Sequence, residues 1–269
     1  MNARPTPLRF GLMCTGTRLF AWQADIVRGL VESGLATPEL LIMEDREVEP
    51  APSLPTRALR LLRHKSLLWH LYEQRYVHPR TSSNRTVDLA AVLNVAPAIR
   101  SRTIRKGRFS EYFSEPDLQA IRSRDLDFIL RFAFGIIRGP ILESARYGVW
   151  SFHHGDPEKY RGGPYCFWEL RRKEPRTGVA LQRLTAKLDG GIVLKSGSVP
   201  TALEGLAANR DRALELGVAF PTEVCRDIQS GNAGYVDGPA LAAPGKLYVA
   251  PSNVEMLVWF LKRALRLPS

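Results

Sequence analysis

The sequence predicts an α/β protein with a mostly parallel sheet and helices on both faces. Its opening is the first observation: an apolar run at Leu8–Cys14, a turn around Gly16, a stretch with helical spacing up to Glu32, and a second apolar run at residues 40–43. The second is that short apolar runs and helical stretches keep alternating further along the chain. Strands that alternate with helices are typical of parallel sheets joined by helical crossovers.

Length and composition predict one large domain with an extension. The chain has 269 residues, of which 45% are hydrophobic and 24% charged, as in ordinary globular proteins. We expect a domain over residues 1–230, interrupted by a basic helical insertion at about 45–110, and a C-terminal extension over 231–269. The N-terminus lacks a signal-peptide layout and no apolar run is as long as a membrane span, so a cytoplasmic location is favoured. The three cysteines are scattered, so neither a disulfide framework nor a metal site is expected.

The charge balance leaves the partner class open. The formal net charge is +11 and the pI is near 9.9, which permits a nucleic acid, a nucleotide sugar or a membrane surface as partner. Solvated arginine-rich faces explain the same charge without any anionic partner. A nucleic-acid-binding module would rest on charge alone, because no recognised motif accompanies it. We therefore disfavour nucleic acid.

The predicted N-terminal helix follows the first turn. It covers Leu19 to Glu32 and ends near Gly34. A full GxGxxG motif is missing, so a dinucleotide site has little support.

Residues 56–76 are typical of a basic amphipathic helix, with leucines and arginines alternating at helical spacing. This helix is expected to pack against its own domain or against a partner, either a second copy or another protein. Binding to a membrane surface or to an acidic partner is the other interpretation. His64 and His70 are out of phase for one helical face, which argues against a shared metal.

Later elements complete the α/β pattern. The sequence predicts a helix at 115–122, a strand at 126–132, a helix at 140–146, a strand at 195–199, one long helix at 203–228 and a C-terminal amphipathic helix at 251–265.

The stretch from Tyr147 to Leu194 holds the candidate chemistry. It is predicted to form a strand, a glycine-rich loop, a helix, a strand, a tight turn and a strand. His153 lies at the end of the first strand, and Asp189 precedes the turn glycines. A histidine at a strand end that faces a loop carboxylate is typical of an acid/base site. His154 should point to the opposite face and is placed at the rim.

The glycine-rich loop also carries an acidic pair, Asp156 and Glu158. Lys159 and Arg161 are close to them in sequence. The simplest interpretation is that the two carboxylates form salt bridges or cap the loop. Contact with an amino substrate is the alternative.

Four motifs of this stretch occur in one order: Ser151-x-His153, Arg161-Gly162, Thr177-Gly178-Val179 and Asp189-Gly190-Gly191. In this order and spacing they resemble the folate-dependent formyltransferase family, which includes the methionyl-tRNA and glycinamide ribonucleotide formyltransferases. The resemblance covers about Leu8–Met43 and Phe113–Ser230 and implies that family's Rossmann-like fold. It departs from the family at one position, because Ser151 stands where the family has Asn.

The resemblance implies a site and a formyl donor. His153, Asp189 and Ser151 would be catalytic, and 10-formyltetrahydrofolate would be the donor. The segment Ala133–Ile137 resembles the family segment whose backbone holds the pterin-like head of the folate. The residues implied in folate binding are Phe134, Gly135, Ile136, Ile137, Lys187 and Leu188.

Two functions remain open at this point. One is an enzyme that transfers a formyl group to a primary amine of a small molecule, with an amino sugar or a nucleotide sugar as the candidate. A small acceptor is expected because the tRNA-gripping C-terminal barrel of the tRNA enzymes is not recognisable after residue 230. The other is a catalytically degenerate member of the fold that binds a ligand or a partner protein, and Ser151 is its main support. Serine is shorter than asparagine, so its hydroxyl either substitutes, is replaced by another donor such as His154, or leaves the site inactive.

Overall fold

The computed structural model describes residues 6–46, 64–107, 109–188, 190–242 and 245–265. The strands are β1 (Leu8–Cys14), β2 (Arg18–Phe20), β3 (Ala36–Glu44), β4 (Thr86–Asp88), β5 (Ala98–Ser101), β6 (Ile104–Lys106), β7 (Ser110–Tyr112), β8 (Phe128–Arg131), β9 (Ile136–Arg138), β10 (Val149–His153), β11 (Tyr160–Gly162), β12 (Arg176–Arg183), β13 (Ile192–Pro200) and β14 (Lys246–Tyr248). The helices are α1 (Ala21–Glu32), α2 (Leu67–Tyr72), α3 (Ala90–Leu93), α4 (Glu115–Arg122), α5 (Phe167–Arg171), α6 (Leu206–Gly217), α7 (Phe220–Gln229) and α8 (Asn253–Ala264).

A seven-stranded sheet forms the centre, in the order β13-β12-β10-β8-β1-β3-β5. The strands from β10 to β5 are parallel, whereas β12 and β13 pair antiparallel at the other end. The predicted mostly parallel sheet is therefore confirmed. The expected opening is also confirmed, with β1 matching its predicted bounds, although α1 begins two residues later because Arg18–Phe20 pairs with β4.

Helices cover both faces of the sheet, as predicted. Successive residues of β1 point to opposite faces, so Leu12 lies in a core cluster with α1 and α7 while Met13 lies in a second cluster with α4. The rings of Phe10, Phe128 and Trp150 stack across β1, β8 and β10, with centroid separations of 5.5 and 4.0 Å. Stacked, fully buried rings fix the lateral position of the three strands that lead to the site.

A third core cluster lies beside the sheet and joins α2, α5, α6 and α8. Trp69 of α2 is 2% exposed, and its ring lies 4.7 Å from that of Phe167 in α5. The described part of the predicted 56–76 helix therefore packs against its own domain, and residues 56–63 lie outside the described ranges. Beyond Tyr72 the helix continues as one π-helical turn, Glu73–Val77.

The phase argument about His64 and His70 is wrong. Their rings lie in edge-to-face contact at 4.8 Å, because His64 precedes α2 and does not follow its helical phase. Across the described ranges there is no group of three or more side chains that could hold a metal ion.

Several predicted boundaries differ from the structure. The long helix at 203–228 is divided into α6 and α7, with Pro221 in the first turn of α7, where proline is best tolerated. The predicted helix at 140–146 is a 3₁₀ turn at Pro140–Glu143. The strand at 195–199 is the middle of the longer β13. From the predicted insertion, β5 joins the central sheet as its edge strand. Of the helices in the described part of the chain, none has the length and apolarity to cross a membrane.

Asn209 of α6 connects the sheet to the helix that borders the site. It is fully buried, and its amide nitrogen donates to the carbonyl of Cys166, directly before α5, and pairs with Thr177 of β12. Its Oδ1 accepts from the backbone N–H of Ala202. One side chain therefore satisfies polar groups of three segments.

Asn209→Ala should lower the free energy of unfolding by about 2–4 kcal/mol, because it leaves a buried carbonyl and a buried N–H without partners. Urea unfolding followed by circular dichroism measures this. The matched control is Asn232→Ala, since Asn232 is exposed and bonds only locally to Ser230. Equal stability of the two variants would contradict the role given to Asn209.

Candidate functional site

Ser151 and His153 lie together on β10, two residues apart and therefore on the same face of the sheet. They stand opposite Gln182 and Ala180 of β12. Ser151 is buried and His153 is half-buried. The pair lies at the carboxyl end of a parallel strand, which is where sites of open α/β sheets form.

Arg131, the last residue of β8, connects Ser151 to the predicted folate segment. Its Nε and Nη2 donate to Ser151 Oγ at 3.1 and 2.9 Å. Its Nη1 donates to the carbonyls of Phe134 and Gly135 at 3.1 and 2.8 Å. A serine hydroxyl has two acceptor lone pairs and one proton. Since both lone pairs accept from Arg131, the Ser151 proton is left for a third group.

The predicted folate segment curves around this guanidinium. Phe134 has a positive φ of 66°, and the N–H of Gly135 donates to Oε2 of the buried Glu111 at 3.0 Å. A Cβ at position 135 would lie 2.7 Å from Glu111 Oε1, so any side chain here would require the Glu111 carboxylate to shift. Ile136 and Ile137 follow in β9, with Ile137 buried. In this segment the Gly135 donor is already engaged, while each carbonyl retains a second lone pair.

Lys187 and Leu188 lie in the turn after β12. Lys187 is exposed, and the carbonyl of Leu188 accepts from Arg161 Nη1 at 3.4 Å. Arg161 also donates through Nε to the carbonyl of Gly245 at 2.8 Å, so it holds the turn next to β11. Asp189 lies outside the described residues, and the predicted His153–Asp189 pair stays a prediction.

The tautomer of His153 follows from its hydrogen-bond partner among the described residues. Its Nε2 lies 2.6 Å from the carbonyl oxygen of Tyr160. A carbonyl only accepts, so Nε2 carries the hydrogen and Nδ1 of the neutral ring holds the free lone pair. Nδ1 is therefore the nitrogen that can take up a proton.

Glycines let the loop after His153 lie directly on its neighbours. A Cβ at Gly178 would lie 2.8 Å from the backbone nitrogen of Asp156, and at Gly162 a Cβ would overlap the carbonyl oxygen of Tyr248. Asp156 accepts from the N–H of Glu158 at 3.0 Å and lies 3.7 Å from Lys159 Nζ. The interpretation of Asp156 as a loop cap and salt-bridge partner is confirmed.

A cavity of about 650 Å³ opens between this loop and the antiparallel strands β12 and β13. Carboxylates and hydroxyls are prominent in its lining: Asp156, Glu158, Glu169, Glu174, Ser196 and Ser198. Lys159 and Arg176 also line it, so the wall is acidic but mixed. His153 instead lines a narrow adjoining gap, and Glu169 borders both spaces.

Glu169 of α5 is the buried acid of the site. It is 2% exposed, and its Oε1 has no hydrogen-bond partner among the described residues. Burial raises its pKa to about 7, the Asp156 and Glu174 carboxylates act in the same direction, and a bond to its own backbone opposes them. An unpaired carboxyl near neutrality can hold or release a proton at physiological pH.

The comparisons with known proteins agree with this architecture. No family model matches the chain. The methionyl-tRNA formyltransferase of Phenylobacterium zucineum is 31% identical over 119 residues, which are 44% of this chain and 39% of that protein. That of Halalkalibacterium halodurans is 33% identical over 89 residues, which are 33% of this chain and 28% of that protein. The matched segments thus span well under half of these curated relatives. The chain is thus similar in sequence to part of the methionyl-tRNA formyltransferases.

Solved structures match the fold of this chain over most of its length. Glycinamide ribonucleotide transformylase 1 from Symbiobacterium toebii has a TM-score of 0.55 at 15% identity, covering 86% of this chain and 92% of that one. A formyltetrahydrofolate deformylase from Pseudomonas syringae has a TM-score of 0.53 at 12% identity, covering 84% of this chain and 62% of that one. At this identity the likeness concerns the fold alone.

Sequence reasoning missed three charged residues: Arg131, Glu169 and Arg210. Arg210 of α6 is 2% exposed, donates to Glu73 at 2.8 Å and stacks on the ring of Tyr165. The first two had a signal in the sequence, because each is a lone charge inside an apolar or aromatic run, FILRF and CFWEL. A charge in such a run is buried at a cost unless it is paired.

His154 lies at the edge of the narrow gap that His153 also lines, and its side chain is half-buried. Its ring packs against Trp22, Phe152 and Tyr165 with centroids 5.2–5.6 Å away. Its Nε2 is closed to solvent and has no hydrogen-bond partner in the described ranges. Burial, followed by the nearby His153 and Arg210, lowers its pKa to about 3. His154 is therefore neutral at physiological pH.

His154→Phe should make the fold less sensitive to acid. The folded-state pKa of His154 lies below the unfolded value, so between pH 6.5 and about 3 the unfolded chain binds the extra proton and wild-type stability falls as pH falls. Phenylalanine removes this dependence. Free energies of unfolding are measured at pH 7, 6, 5 and 4. The value for the variant minus that for the wild type should increase toward pH 4. His70→Phe, at an exposed position, is the control in which this difference should not change. A stability difference between His154→Phe and the wild type that stays constant with pH would rule out the lowered pKa of His154.

Proposed function

We propose that the chain transfers a formyl group from 10-formyltetrahydrofolate to the primary amine of a small molecule, with an amino sugar or a nucleotide sugar as the candidate acceptor. The observation that carries this proposal is the Arg131–Ser151 pair beside His153 on β10. It supplies a hydroxyl donor at the position where the family has an asparagine. The curated relatives named above are methionyl-tRNA formyltransferases, so methionyl-tRNA is the competing acceptor.

Formyl transfer to an amine sets three requirements. The acceptor nitrogen loses a proton as it forms its bond to the formyl carbon, the formyl oxygen gains negative charge, and the departing folate nitrogen takes up a proton. Bound 10-formyltetrahydrofolate supplies the formyl carbon. The protein must supply a hydrogen-bond donor for the oxygen and a group that holds the proton.

Ser151 meets the first of these requirements. With two hydrogen bonds accepted from the Arg131 guanidinium, its own proton is directed to a third group. Hydrogen bonds that involve an ionised partner are about twice as strong as neutral ones. A hydroxyl polarised in this way is a better donor than an isolated serine, and this offsets its short reach compared with asparagine.

His153 meets the second requirement. The Tyr160 carbonyl fixes the hydrogen on Nε2, which leaves Nδ1 to accept the proton from the acceptor amine and to return it to the leaving nitrogen. In the resemblance to the family, Asp189 orients this histidine or a water. That role is part of the proposal.

The described residues of the folate segment fit the cofactor through their acceptors. The carbonyls of Phe134 and Gly135 each have a lone pair beyond the one that Arg131 uses. They would accept the amino hydrogens of the pterin, with Ile136 and Ile137 as apolar neighbours. Lys187 and Leu188 would border the folate from the turn after β12.

One observation favours the alternative function, a catalytically degenerate member that binds a ligand or partner. The Arg131 guanidinium already bonds Ser151 and both carbonyls of the folate segment. In that alternative it holds the site closed, and the basic segment at 56–76 serves as the contact for a partner protein or a second copy. The cytoplasm is the proposed location in both cases.

Turnover decides between the two functions. Purified protein, 10-formyltetrahydrofolate and a panel of amino sugars, nucleotide amino sugars and initiator methionyl-tRNA are assayed by mass spectrometry for a formyl mass gain. We expect product from the small amines, loss of turnover in His153→Gln, and a loss of about 10²-fold in Ser151→Ala, the usual effect of losing one oxyanion donor. His70→Gln is the matched control on the surface.

Each other result has a defined meaning. Formylation of tRNA alone would replace the small acceptor with tRNA. Activity that appears only in Ser151→Asn would favour the degenerate function, because the scaffold would then be intact and the natural site inactive. Full activity in His153→Gln would contradict the proposed mechanism.

A further inference from the structure

Glu169 and His153 face each other across Gly155. A Cβ built on residue 155 would stand 3.2 Å from His153 Nε2 and 3.3 Å from Glu169 Oε1. Glycine at this position leaves the space between the imidazole and the carboxyl without a side chain. The Glu169 oxygen that faces this space is the one without a hydrogen-bond partner among the described residues.

Charged groups of both signs lie around this pair: Arg161 lines the same narrow gap as Glu169 and His153, and it donates to the carbonyls of Gly245 and Leu188. Asp156 from the loop and Glu174 after α5 are the carboxylates that act on Glu169. Tyr160 of β11 donates its hydroxyl to Glu174 at 2.8 Å, and burial raises the pKa of the neighbouring Cys166 thiol well above its usual range, so that it stays neutral. The nearest bases in the cavity wall are engaged elsewhere, Lys159 with Asp156 and Arg176 with Ser198. His153 is the ionisable ring whose Nε2 borders the same space as Glu169 Oε1.

We propose that Glu169 is a positioning residue that acts through His153: its carboxylate stabilises the His153 imidazolium, and it does so from the Nε2 side while Nδ1 exchanges protons with the reactants. The reaction part of this inference rests on the proposed formyl transfer. The electrostatic coupling between Glu169 and His153 belongs to the protein itself and is measured without any substrate.

The proton balance of the reaction explains why a carboxylate near His153 would assist the transfer. In the transfer, the bond between acceptor nitrogen and formyl carbon forms, the bond between formyl carbon and folate nitrogen breaks, and one proton passes from the first nitrogen to the second. His153 Nδ1 holds that proton in between, so the ring is cationic for part of the cycle. An ionised carboxyl beyond Nε2 lowers the energy of that cation, just as an opposite charge within 4–6 Å raises the pKa of a histidine.

Glu169→Gln separates this role from packing, because glutamine keeps the shape of the side chain and removes its charge. The ring signals of His153, assigned by their loss in His153→Gln, are followed by NMR against pH in isotope-labelled protein. We expect the His153 pKa to fall by about one pH unit in Glu169→Gln, in line with the loss of a nearby opposite charge. In Glu158→Gln, which removes an exposed carboxylate of the same cavity, the His153 pKa should not move. An unchanged His153 pKa in Glu169→Gln overturns the inference.

A second readout covers the fold of the variant. The pKa of Glu169 is raised in the folded state, so the folded chain binds the extra proton between pH 4.5 and about 7, and wild-type stability falls as pH rises through that window. Glu169→Gln should lack this fall, and unfolding free energies at pH 5 and pH 7.5 test it. An equal fall in both proteins would also overturn the inference.

Kinetics with an active acceptor then extend the result to the reaction. The loss in Glu169→Gln should appear in kcat, by about tenfold if the imidazolium loses one pK unit of stabilisation, with KM for the amine unchanged. A shift in the His153 titration without formyl transfer in the wild type would refute the proposed function and leave the coupling in place. Formyl transfer without any shift would refute the coupling alone.

Discussion

The guanidinium of Arg131 is the interaction on which the candidate site depends. It ends a strand that is otherwise buried and apolar, where a charge without partners would be destabilising. The planar fork of an arginine can serve several acceptors at once, and here it serves Ser151 Oγ and the carbonyls of Phe134 and Gly135. A lysine could not make this set of contacts with a single point charge. The strand end, the following segment and the neighbouring strand β10 are therefore held in one arrangement by one side chain.

Glycine is the complementary constraint on the other side of β10. At Gly178 the missing Cβ lets the loop after His153 rest on β12, and at Gly162 it lets β11 meet β14. At Gly155 it leaves the space between His153 and Glu169. These glycines thus set how closely backbones and side chains approach His153. The sequence motif marks the glycines, but the reason for them is visible only in the packing.

How much of the structure could be predicted depended on whether local pattern or tertiary packing decides the outcome. The bounds of β1 and α4 follow from local signals: an unbroken apolar run in one case, and Ser114 as a capping residue before Glu115-Pro116 in the other. Periodicity could not find the break between α6 and α7, because the apolar pattern continues through it. The packing of the His154 ring depends on Trp22 and Tyr165, which belong to other segments of the chain.

The site residues divide in the same way. Ser151 and His153 could be found because their spacing on a strand puts them on one face and because they stand within a recognisable motif. The partners of these residues could not be found by spacing: Arg131 reaches Ser151 from the adjacent strand, and Glu169 approaches His153 from a helix beyond the loop. Only the register of β8 against β10, and the packing of α5 through Asn209 and Trp69, bring them into place.

Arg131 and Glu169 also place groups of opposite charge at the two ends of the site. The cation lies at Ser151, where formyl transfer would build negative charge on an oxygen, and the buried acid lies at His153, where it would build positive charge on a ring. A cation at one end, and at the other a carboxyl that can ionise near neutral pH, stabilise the separated charges of such a transition state more than they stabilise neutral reactants, which is the condition for catalysis by electrostatic preorganisation. A binding protein that had lost its chemistry would not need the buried, unpaired carboxyl of Glu169, since this group costs stability above its pKa. The presence of this buried acid behind the histidine, which lowers the stability of the protein above its pKa, therefore weighs in favour of the enzyme.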